Sequence, residues 1–577
     1  MRKIILILIL SFSPLFWYCN ESTKADIANQ SNSVNEDFSK AINDRLSSID
    51  SLDTIFLSIK DNFGLIKNFY LGNEFQPVLL KDFDSHIIVD SIINLFQNAI
   101  EHGINPKIYS TELVRNEFNN AKKSEFNLNQ RYYHLANTEI LLANSLISYS
   151  VHLRQGLINP NILFAPNYEI PLKRLTPSEI IEILQQKNIF NYLENIKPKS
   201  DRYVKLQQVL KKFESLSNEE WEIIPVPNSK IEPGNSYQYI NQVIKKLIVL
   251  GFIDTNKVKI QDTFKYDKNL VESIKLFQKS HGLIDDGIIG KGTIERLNIP
   301  PKQYVDKIKL NLERFRWNDY SDTSKYILVN IPDFKLKAIE NKQEKFEIKV
   351  CAGRKIKWQT PVLYSQLSYL VLNPTWSVPQ SIVQEEIIDG IKKDSLYLKK
   401  RNFKAYKGGK PVSLDEINIS ELKTKRYTLI QEPGDGNALG KIKFMFDNPF
   451  GVYLHDTPTR APFNYVNRAV SHGCVRVEKP IQLAEFLLKD NSNWTIDYVK
   501  IETGYQVNDK NLINEFQSVR SQLRKNFSYG KTTEVRLYQP IPLFIDYFTA
   551  WVDENGILNY RDDVYGKDLI LKKKLNL

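Results

Sequence analysis

The chain has 577 residues, enough for two to four domains, and 42% of them are hydrophobic, which suffices for packed cores. Its formal charge is +11, from 78 Lys and Arg against 67 Asp and Glu. The excess is spread along the chain without a polybasic tail or a nucleic-acid motif. The composition therefore excludes a dedicated DNA- or RNA-binding protein and leaves only a mild attraction to anionic polymers.

Residues 1–19 have the pattern of an export signal. A basic start precedes the apolar run Ile4 to Leu10, which is too short to span a membrane. Cys19 resembles the lipidation site of bacterial lipoproteins, but bulky residues precede it, so simple cleavage and a retained anchor remain open. Any membrane association is expected only through this segment. Residues 20–40 are polar and predict a flexible tether.

Residues 41–235 predict an α-helical scaffold domain. Apolar residues recur at helical spacing from Ile88 to Ala99, and Gly103 marks the helix end. Thr176 begins another helix with a capping box to Glu179. These stripes indicate core packing, and we assign them no chemistry. The four histidines of this region lack metal-ligand spacing, so we expect no metal and no cofactor.

A Pro-rich linker, 225–234, leads to a small helical segment at 236–300. Phe277 and Gln278 stand near a helix end and are followed by Asp286-Gly287-Ile288-Ile289-Gly290. Glycines supply the turns, and Thr293 is predicted to cap the next helix. This pattern resembles the three-helix peptidoglycan-binding domain. The alternative is a helical spacer without a working groove.

Residues 301–577 change to the period of β-strands. Tyr326–Ile331 predicts a buried strand, and a hairpin turns at Asn341-Lys342. Residues 384–430 form a basic, polar insertion, expected to be either a lid over substrate or a solvated surface excursion. Aromatic strands near the C-terminus are expected to complete the same domain.

The candidate chemistry lies in Ser471-His472-Gly473-Cys474-Val475-Arg476, with His455 upstream at a predicted strand end. A thiolate attacks far better than a thiol, and a nearby imidazole can take the proton. Gly473 permits a tight turn that brings amides close to the sulfur. Cys351 lies in a strand-like run, where a buried free thiol is favoured over a disulfide with Cys474. The alternative is that Cys474 is itself a buried structural cysteine.

This string resembles the L,D-transpeptidase catalytic motif, a His followed at this distance by Ser-His-Gly-Cys. The continuation Val475-Arg476 resembles the large, multidomain members (the YcbB-like branch of YkuD-type enzymes). Segments around Phe75–Val78 and His152–Pro160 resemble, more loosely, the helical scaffold of those enzymes. The resemblance implies a multidomain α+β protein whose mainly β catalytic domain follows the scaffold and peptidoglycan-binding domains.

The resemblance also implies residue roles. Cys474 is the expected nucleophile, and His455 is the expected base, held by a backbone carbonyl just after it, with His472 as the alternative base. Amides of Gly473 and Cys474 are expected to form the oxyanion hole, and His472, Ser471 and Arg476 to shape the site. The residues expected to line the substrate are Trp376, Tyr453 and Asn373, although Trp376 could equally be a core residue.

The implied function is cross-linking of peptidoglycan stem peptides into 3-3 links through a cysteine thioester, in the periplasm or cell envelope. Peptidoglycan stems and glycan are the expected partners, with cell-wall synthases as further candidates and a role in cell shape. Three alternatives stay open: hydrolysis of the thioester, which would make a carboxypeptidase or endopeptidase; transfer to a lysine of an envelope protein; and wall binding with a dormant site. The sequence does not fix the acceptor, the diamino acid or the oligomeric state.

Overall fold

The structure is a computed structural model that describes residues 36–254, 264–320, 322–424, 426–523 and 530–577, with only the backbone of 521–523. The predicted export signal and most of the predicted tether lie outside these residues, although 36–48 are helical. The chain forms two compact units. One comprises Met1–Ile100, Asn105–Leu153 and Leu175–Lys197, and the other comprises Glu101–Ile104, Arg154–Arg174 and Pro198–Leu577.

The first half of the chain is helical, as predicted. Its helices are α1 (36–48), α2 (Thr54–Ile59), α3 (Phe63–Gly72), α4 (His86–Gln97), α5 (Thr111–Ala121), α6 (Leu128–Gln155), α7 (Pro160–Leu163), α8 (Pro177–Ile181), α9 (Ile189–Ile196) and α10 (Asp201–Leu216). Short 3-10 turns lie at Asn98–His102, Pro106–Tyr109 and Glu182–Gln185. The predicted capping box between Thr176 and Glu179 is present at the start of α8.

Helix α6 carries the most buried face of the first unit. Its Glu139 is fully buried and accepts hydrogen bonds from the backbone amides of Val78, Leu79 and Leu80 and from the hydroxyl of Tyr70. Four donors satisfy this carboxylate, so its burial indicates a structural role.

No helix in the described part of the chain is long and apolar enough to cross a bilayer.

Three helices form the segment that resembles a peptidoglycan-binding domain: α11 (Ile240–Leu250), α12 (Val271–Ser280) and α13 (Lys291–Leu297). The Gln278 side chain accepts from the Gly287 amide at 2.8 Å and donates to the Ile288 carbonyl at 2.9 Å, which fixes the glycine turn. The capping role predicted for Thr293 is wrong. Gly290 holds the N-cap position of α13, and the Thr293 hydroxyl lies inside the helix, bonded to Gln278 and Ile288.

A long helix, α14 (Pro301–Trp317), leads into the β-rich part of the chain. The strands, in chain order, are β1 (Tyr168–Glu169), β2 (Lys325–Asn330), β3 (Lys335–Glu340), β4 (Gln343–Gly353), β5 (Val362–Leu372), β6 (Trp376–Ser377), β7 (Phe403–Lys407), β8 (Lys410–Val412), β9 (Tyr427–Gln431), β10 (Ile442–Phe446), β11 (Leu454–His455), β12 (Ala469–Ser471), β13 (Val475–Val477), β14 (Thr533–Asp546), β15 (Ala550–Val552) and β16 (Leu558–Tyr560). The predicted hairpin at Asn341-Lys342 joins β3 to β4, and both turn residues have positive φ.

The main sheet runs in the order β1-β5-β10-β11-β13-β4-β3-β2-β14, and β12 pairs with β4. Strand β14 also pairs with β5, so the path from β5 to β14 closes into a ring. Its apolar side chains form one core that includes Leu336, Val350, Leu370 and Phe444. The C-terminal strand β14 completes this sheet, as the sequence predicted, whereas β1 comes from the helical half and was not predicted.

The predicted insertion supplies β7, β8 and β9 of a small sheet ordered β6-β9-β7-β8, and β6 lies before the predicted boundary at 384. Helices α15 (Gln380–Ile382), α16 (Ile388–Lys393), α17 (Tyr397–Lys400) and α18 (Ile419–Leu422) surround it, and a π-helical turn, Val383–Ile387, connects α15 to α16. A separate apolar cluster around Leu429 and Phe403 packs inside it. The insertion is therefore a folded element with its own core, and its role as a lid stays a prediction.

Four more helices follow the catalytic motif: α19 (Pro480–Leu488), α20 (Ile496–Thr503), α21 (Lys510–Leu523) and α22 (Lys567–Leu575). Within the second unit, the three-helix segment shares an apolar cluster with α10, α14 and the β15-β16 hairpin. Its Arg296 also pairs with Asp562 at 2.5 Å. The sequence-based boundaries at 235 and 300 stay predictions, and the structure groups these residues in one compact unit.

Candidate active site

The Ser471-His472-Gly473-Cys474 turn joins β12 to β13, two short strands on either side of it. Gly473 has a φ of +110°, a backbone conformation that disfavours any residue with a Cβ. The Ser471 hydroxyl donates to the Cys474 carbonyl at 2.6 Å and accepts from the Gly473 amide at 3.2 Å. Ser471 therefore closes the turn on itself and fixes where the sulfur lies.

A second set of contacts supports the turn from outside. The Thr360 hydroxyl donates to the Gly473 carbonyl at 2.7 Å and accepts from the Gly353 amide at 2.8 Å. The Tyr565 hydroxyl donates to the Gly353 carbonyl at 2.8 Å and accepts from the Thr360 amide at 3.1 Å. Residues from two distant segments, 353–360 and Tyr565, thus hold the catalytic turn in one hydrogen-bonded network.

Gly353 is required by the close approach of two backbone segments at the end of β4. A Cβ at this position would lie 1.7 Å from the Trp358 carbonyl oxygen and 2.8 Å from the Thr360 nitrogen. No side chain fits there, because both neighbouring atoms belong to the backbone. The loop that carries Thr360 can reach Gly473 only when residue 353 is glycine.

Cys474 is partly buried and makes no disulfide. Burial raises the pKa of its thiol, while hydrogen bonds from the backbone and side chain of Tyr453 and the positive charges of Lys443 and Arg476 act in the opposite direction. Desolvation is the largest cause. The thiol is therefore protonated in the resting site and needs a base when it attacks.

His455 lies on β11, which pairs in parallel with β13 directly after Cys474. Its ring is buried, and Nδ1 lies 2.5 Å from the Asp456 carbonyl oxygen, to which it donates as the neutral tautomer. Burial first, and then the nearby positive charge of Arg476, lower its pKa to about 3. His455 is thus neutral at physiological pH, with Nδ1 bound and Nε2 left as the basic nitrogen.

Asp456 fixes the strand that faces this histidine. Its Oδ2 accepts from the Lys441 amide at 2.9 Å, just before β10. Gly440, with a φ of +63°, leaves room for this carboxylate, since a Cβ there would lie 2.4 Å from Oδ2. The pairing of β10 with β11 then places Lys443 opposite His455. The turn-rich sequence before β10 predicted a loop but not this packing requirement.

His472 lies beside charged residues. Its Nε2 contacts the guanidinium of Arg354 and lies 3.3 Å from Glu386 Oε1 on the insertion, and its ring meets Trp358 edge-on. Burial lowers its pKa, and Glu386 opposes that shift. With Nε2 already occupied, His472 is less available than His455 to accept a proton from sulfur.

The three predicted substrate-lining residues lie in different environments. The Tyr453 hydroxyl hydrogen-bonds Cys474 and also accepts from the Trp376 indole, so Tyr453 adjoins the sulfur and Trp376 adjoins Tyr453. Asn373 is buried, and its side-chain amide donates to the Glu502 carbonyl at 2.9 Å. That contact secures the end of β5, and a substrate role for Asn373 stays a prediction.

Several residues near the site had no assigned role in the sequence analysis: Gly353, Arg354, Thr360, Glu385, Glu386, Lys443 and Tyr565. Thr360-Pro361 follows an Ala-Gly strand end, which is the signal that could have identified the supporting loop. Tyr565 has no such signal, because its partners Gly353 and Thr360 lie more than 200 residues earlier in the chain. Cys351 is buried and free, as predicted, and burial raises its pKa to about 11.

Among the described residues, no group of three or more His, Cys, Asp and Glu side chains is arranged to hold a metal ion. The arrangement around Cys474 instead offers a protonated thiol, a neutral imidazole on the next strand and a turn with nearby amides. These are the components of acyl transfer through a covalent enzyme intermediate.

Three protein families match the chain. Residues 324–504 match the L,D-transpeptidase catalytic domain of the YkuD type, residues 64–210 match the scaffold domain, and residues 239–297 match the family described as "Putative peptidoglycan binding domain". These matches do not separate the large YcbB-like members from others, so that branch assignment stays a prediction.

A similar curated protein is the "Putative L,D-transpeptidase" of Haemophilus influenzae, 33% identical over 307 residues. The match covers 52% of this chain and 56% of that protein, so the chain aligns with about half of its relative.

Two solved structures are also similar. The L,D-transpeptidase of Stackebrandtia nassauensis has 16% identity over 46% of this chain and 91% of that one, with a TM-score of 0.20. The L,D-transpeptidase of Xylanimonas cellulosilytica has 14% identity over 47% and 96%, with a TM-score of 0.15. TM-scores this low carry no argument about the whole chain. From the family matches, the chain carries an L,D-transpeptidase catalytic domain together with a scaffold domain and a peptidoglycan-binding domain.

Proposed function

We propose that the protein is a peptidoglycan L,D-transpeptidase that joins stem peptides by 3-3 cross-links through a thioester on Cys474. The observation that carries the proposal is the position of this thiol. It lies on a turn fixed by Gly473 and Thr360, bonded to Tyr453, and next to the strand that holds a neutral His455. The catalytic-domain match over 324–504 supports the same reaction class.

In the first half-reaction, the Cys474 sulfur attacks the carbonyl carbon of the stem's third residue while His455 Nε2 takes the thiol proton. The tetrahedral intermediate places negative charge on the former carbonyl oxygen. When it collapses, the carbon–nitrogen bond to the terminal D-alanine breaks, and His455 returns the proton to the leaving amine. A thioester remains on Cys474, and no charge or proton is left over.

The oxyanion is assigned mainly to the Cys474 amide. The Gly473 amide already donates to the Ser471 hydroxyl at 3.2 Å, so it joins only if that long contact gives way. Each such donor typically contributes about 10²–10³-fold to the rate of acyl transfer.

In the second half-reaction, the side-chain amine of the diamino acid of another stem attacks the thioester carbonyl. His455 takes a proton from this amine, the carbon–sulfur bond breaks, and the sulfur regains a proton. The product is a new amide between two third residues, and the enzyme is restored. If water takes the place of the amine, the same site acts as a carboxypeptidase or endopeptidase, and if a protein lysine does, it attaches that protein to the wall.

The other domains are assigned to substrate delivery. The three-helix segment holds no candidate nucleophile, and we assign it to contacts with the wall, with domain boundaries at 235 and 300. The insertion is assigned as a lid over the donor site, because it shares a sheet with β6, whose Trp376 donates to Tyr453 beside the catalytic sulfur. We assign the protein to the cell envelope on the basis of this activity, with residues 1–19 as the proposed export signal and Cys19 as a candidate lipid anchor.

The test is mass spectrometry of muropeptides incubated with the purified full chain, compared with Cys474→Ala and Cys351→Ala. We expect 3-3 dimers and released D-alanine with the parent and with Cys351→Ala, and neither with Cys474→Ala. The same set is then treated with a carbapenem, which should add its mass only where Cys474 is present. Product or adduct formed by Cys474→Ala would refute the assignment. Tripeptide monomers without dimers would favour hydrolysis.

A further inference from the structure

Two carboxylates of the insertion face a basic cluster at the rim of the catalytic turn. Glu385 contacts the ammonium of Lys357, accepts from the Trp358 indole at 3.1 Å, and lies 3.7 Å from the Arg354 guanidinium. Glu386 lies 3.8 Å from the same guanidinium. The four charged groups thus form one cluster between the insertion and the body of the catalytic domain.

The basic half of this cluster is attached directly to the catalytic turn. The Arg354 amide donates to the Ser471 carbonyl at 3.0 Å, and the Arg354 guanidinium contacts His472, two residues before the nucleophile. Its Nε is buried and, among the described residues, has no hydrogen-bond partner. A planar guanidinium can hold a carboxylate through two parallel hydrogen bonds, so Arg354 retains donor capacity that the present contacts do not use.

The acidic half belongs to the insertion. Glu385 and Glu386 lie on the π-helical turn Val383–Ile387, a conformation that recurs at functional sites because it displaces side chains from the regular helical positions. The rest of the insertion is held by its own apolar cluster. Opening the insertion would therefore separate the two halves of the cluster without unfolding either side.

We propose that Arg354 and Lys357 form a binding site for a free carboxylate of the stem-peptide substrate, which Glu385 and Glu386 occupy while substrate is absent. This inference rests on the proposed function and names the group by which the site recognises a stem. A donor stem ends in a D-alanine carboxylate close to the bond that Cys474 attacks. A diamino acid with a second carboxylate could present the same group from the acceptor stem.

Charge balance makes the two glutamates and the substrate carboxylate compete for Arg354 and Lys357. Arg354 and Lys357 carry two positive charges, and the two glutamates cancel them. A substrate carboxylate added to the closed cluster would leave a net negative charge. Substrate binding therefore favours separation of a glutamate from Arg354 and Lys357, and because the glutamates belong to the insertion, the insertion moves with them. The side chains of Lys357 and Glu386 are more than half exposed, and pairs of this kind are weak enough to exchange readily.

The experiment measures equilibrium binding in the full chain carrying Cys474→Ala, so that no chemistry intervenes. The probes are an N-acetylated tetrapeptide ending in D-alanine, its C-terminal carboxamide, and the free acid with the diamino carboxylate amidated. We expect the parent to bind the free acid about tenfold more tightly than the carboxamide, the size of one charge-assisted hydrogen bond. Arg354→Gln with Lys357→Gln should abolish this preference, and Arg354→Lys should restore part of it.

The glutamates provide the second arm. Glu385→Gln with Glu386→Gln should tighten binding of the free acid several-fold and leave the carboxamide unchanged, because only a carboxylate competes with them. Asp389→Asn is the matched control, since Asp389 lies on the same helical segment and pairs with Lys392. Circular dichroism checks the fold of each variant.

The proposal is overturned if the basic double variant keeps the preference, or if the glutamate double variant binds the acid no better than the parent. If amidation of the diamino carboxylate weakens binding and amidation of the terminal carboxylate does not, the site is assigned to the acceptor stem. Loss of all preference in the parent also overturns the proposal. Because binding is measured without turnover, none of these results depends on whether the parent forms 3-3 cross-links.

Discussion

The state of His455 makes a prediction about how acylation responds to acid. An exposed histidine has a pKa near 6.5, whereas burial and Arg476 lower the pKa of His455 to about 3. The Cys474 thiol has a raised pKa, so both partners are neutral at the start of the reaction. Proton transfer then accompanies attack, and the rate should follow the fraction of neutral His455.

The magnitude follows from these two values. At pH 5, an imidazole with a pKa of about 3 is about 99% neutral, while one with the ordinary value near 6.5 is only about 3% neutral. The ordinary imidazole would therefore lose about thirtyfold in rate between pH 8 and pH 5. We expect the acylation rate to change less than threefold between pH 8 and pH 5. If His455 had the ordinary pKa, the change would be about ten times this bound.

The assay is single-turnover acylation of the full chain by a carbapenem, followed by intact-protein mass spectrometry from pH 5 to pH 8. His455→Ala should lose about 10²–10⁴-fold in rate at every pH while keeping its circular dichroism spectrum. His472→Ala should lose less. An acid limb centred near pH 6.5 would refute the buried, neutral base, and a tenfold rise in rate per pH unit would indicate attack by a preformed thiolate. A larger loss in His472→Ala than in His455→Ala would exchange the two roles.

Three further predictions concern the framework. Gly353→Ala should abolish acylation and lower the free energy of unfolding by more than about 3 kcal/mol, measured by urea titration, because its Cβ would lie 1.7 Å from the Trp358 carbonyl oxygen. Tyr565→Phe leaves two buried backbone groups without partners, so the same titration should show a loss of about 1–3 kcal/mol, and an unchanged midpoint would contradict the network. His281 is buried with a pKa lowered to about 3, so below the unfolded value near 6.5 the unfolded chain takes up a proton that the folded chain does not, and stability falls with pH. Between pH 8 and pH 5 the parent should lose about 2 kcal/mol more than His281→Asn, and equal losses would refute that burial.

Much of the fold follows from periodicity in the sequence. A continuous apolar run predicted β2, alternating apolar residues predicted β3 and β4, and the positive φ that glycine and asparagine tolerate located the turns at Asn341 and Gly473. The strand that ends at His455 was predicted from two apolar neighbours, because alternation and a following turn are local properties. Local sequence patterns therefore suffice to predict structure wherever a residue's role depends on the conformation of its own backbone.

The rest depends on contacts between distant segments. Strand β1 lies in the helical half and pairs with β5. It has only two residues, which are too few to show the alternation of apolar and polar residues that would identify a strand. Thr293 had the residue type of an N-cap but lies inside its helix, since the buried Gln278 engages its hydroxyl. Tyr565 supports the catalytic turn from the C-terminus. None of these could be predicted from spacing, because the partner is chosen by the tertiary fold.

The same burial that makes Cys474 a weak acid makes His455 a weak base, and this pairing has a physical advantage. A preformed thiolate–imidazolium pair inside the protein would require two desolvated charges, which are costly unless both are fully hydrogen-bonded. A neutral pair avoids that cost before substrate arrives. Charge appears only during attack, when Tyr453 and the cations Lys443 and Arg476 already face the sulfur and need no rearrangement. The site therefore keeps its stabilising interactions for the transition state, and its thiol becomes nucleophilic only when a carbonyl is positioned to receive it.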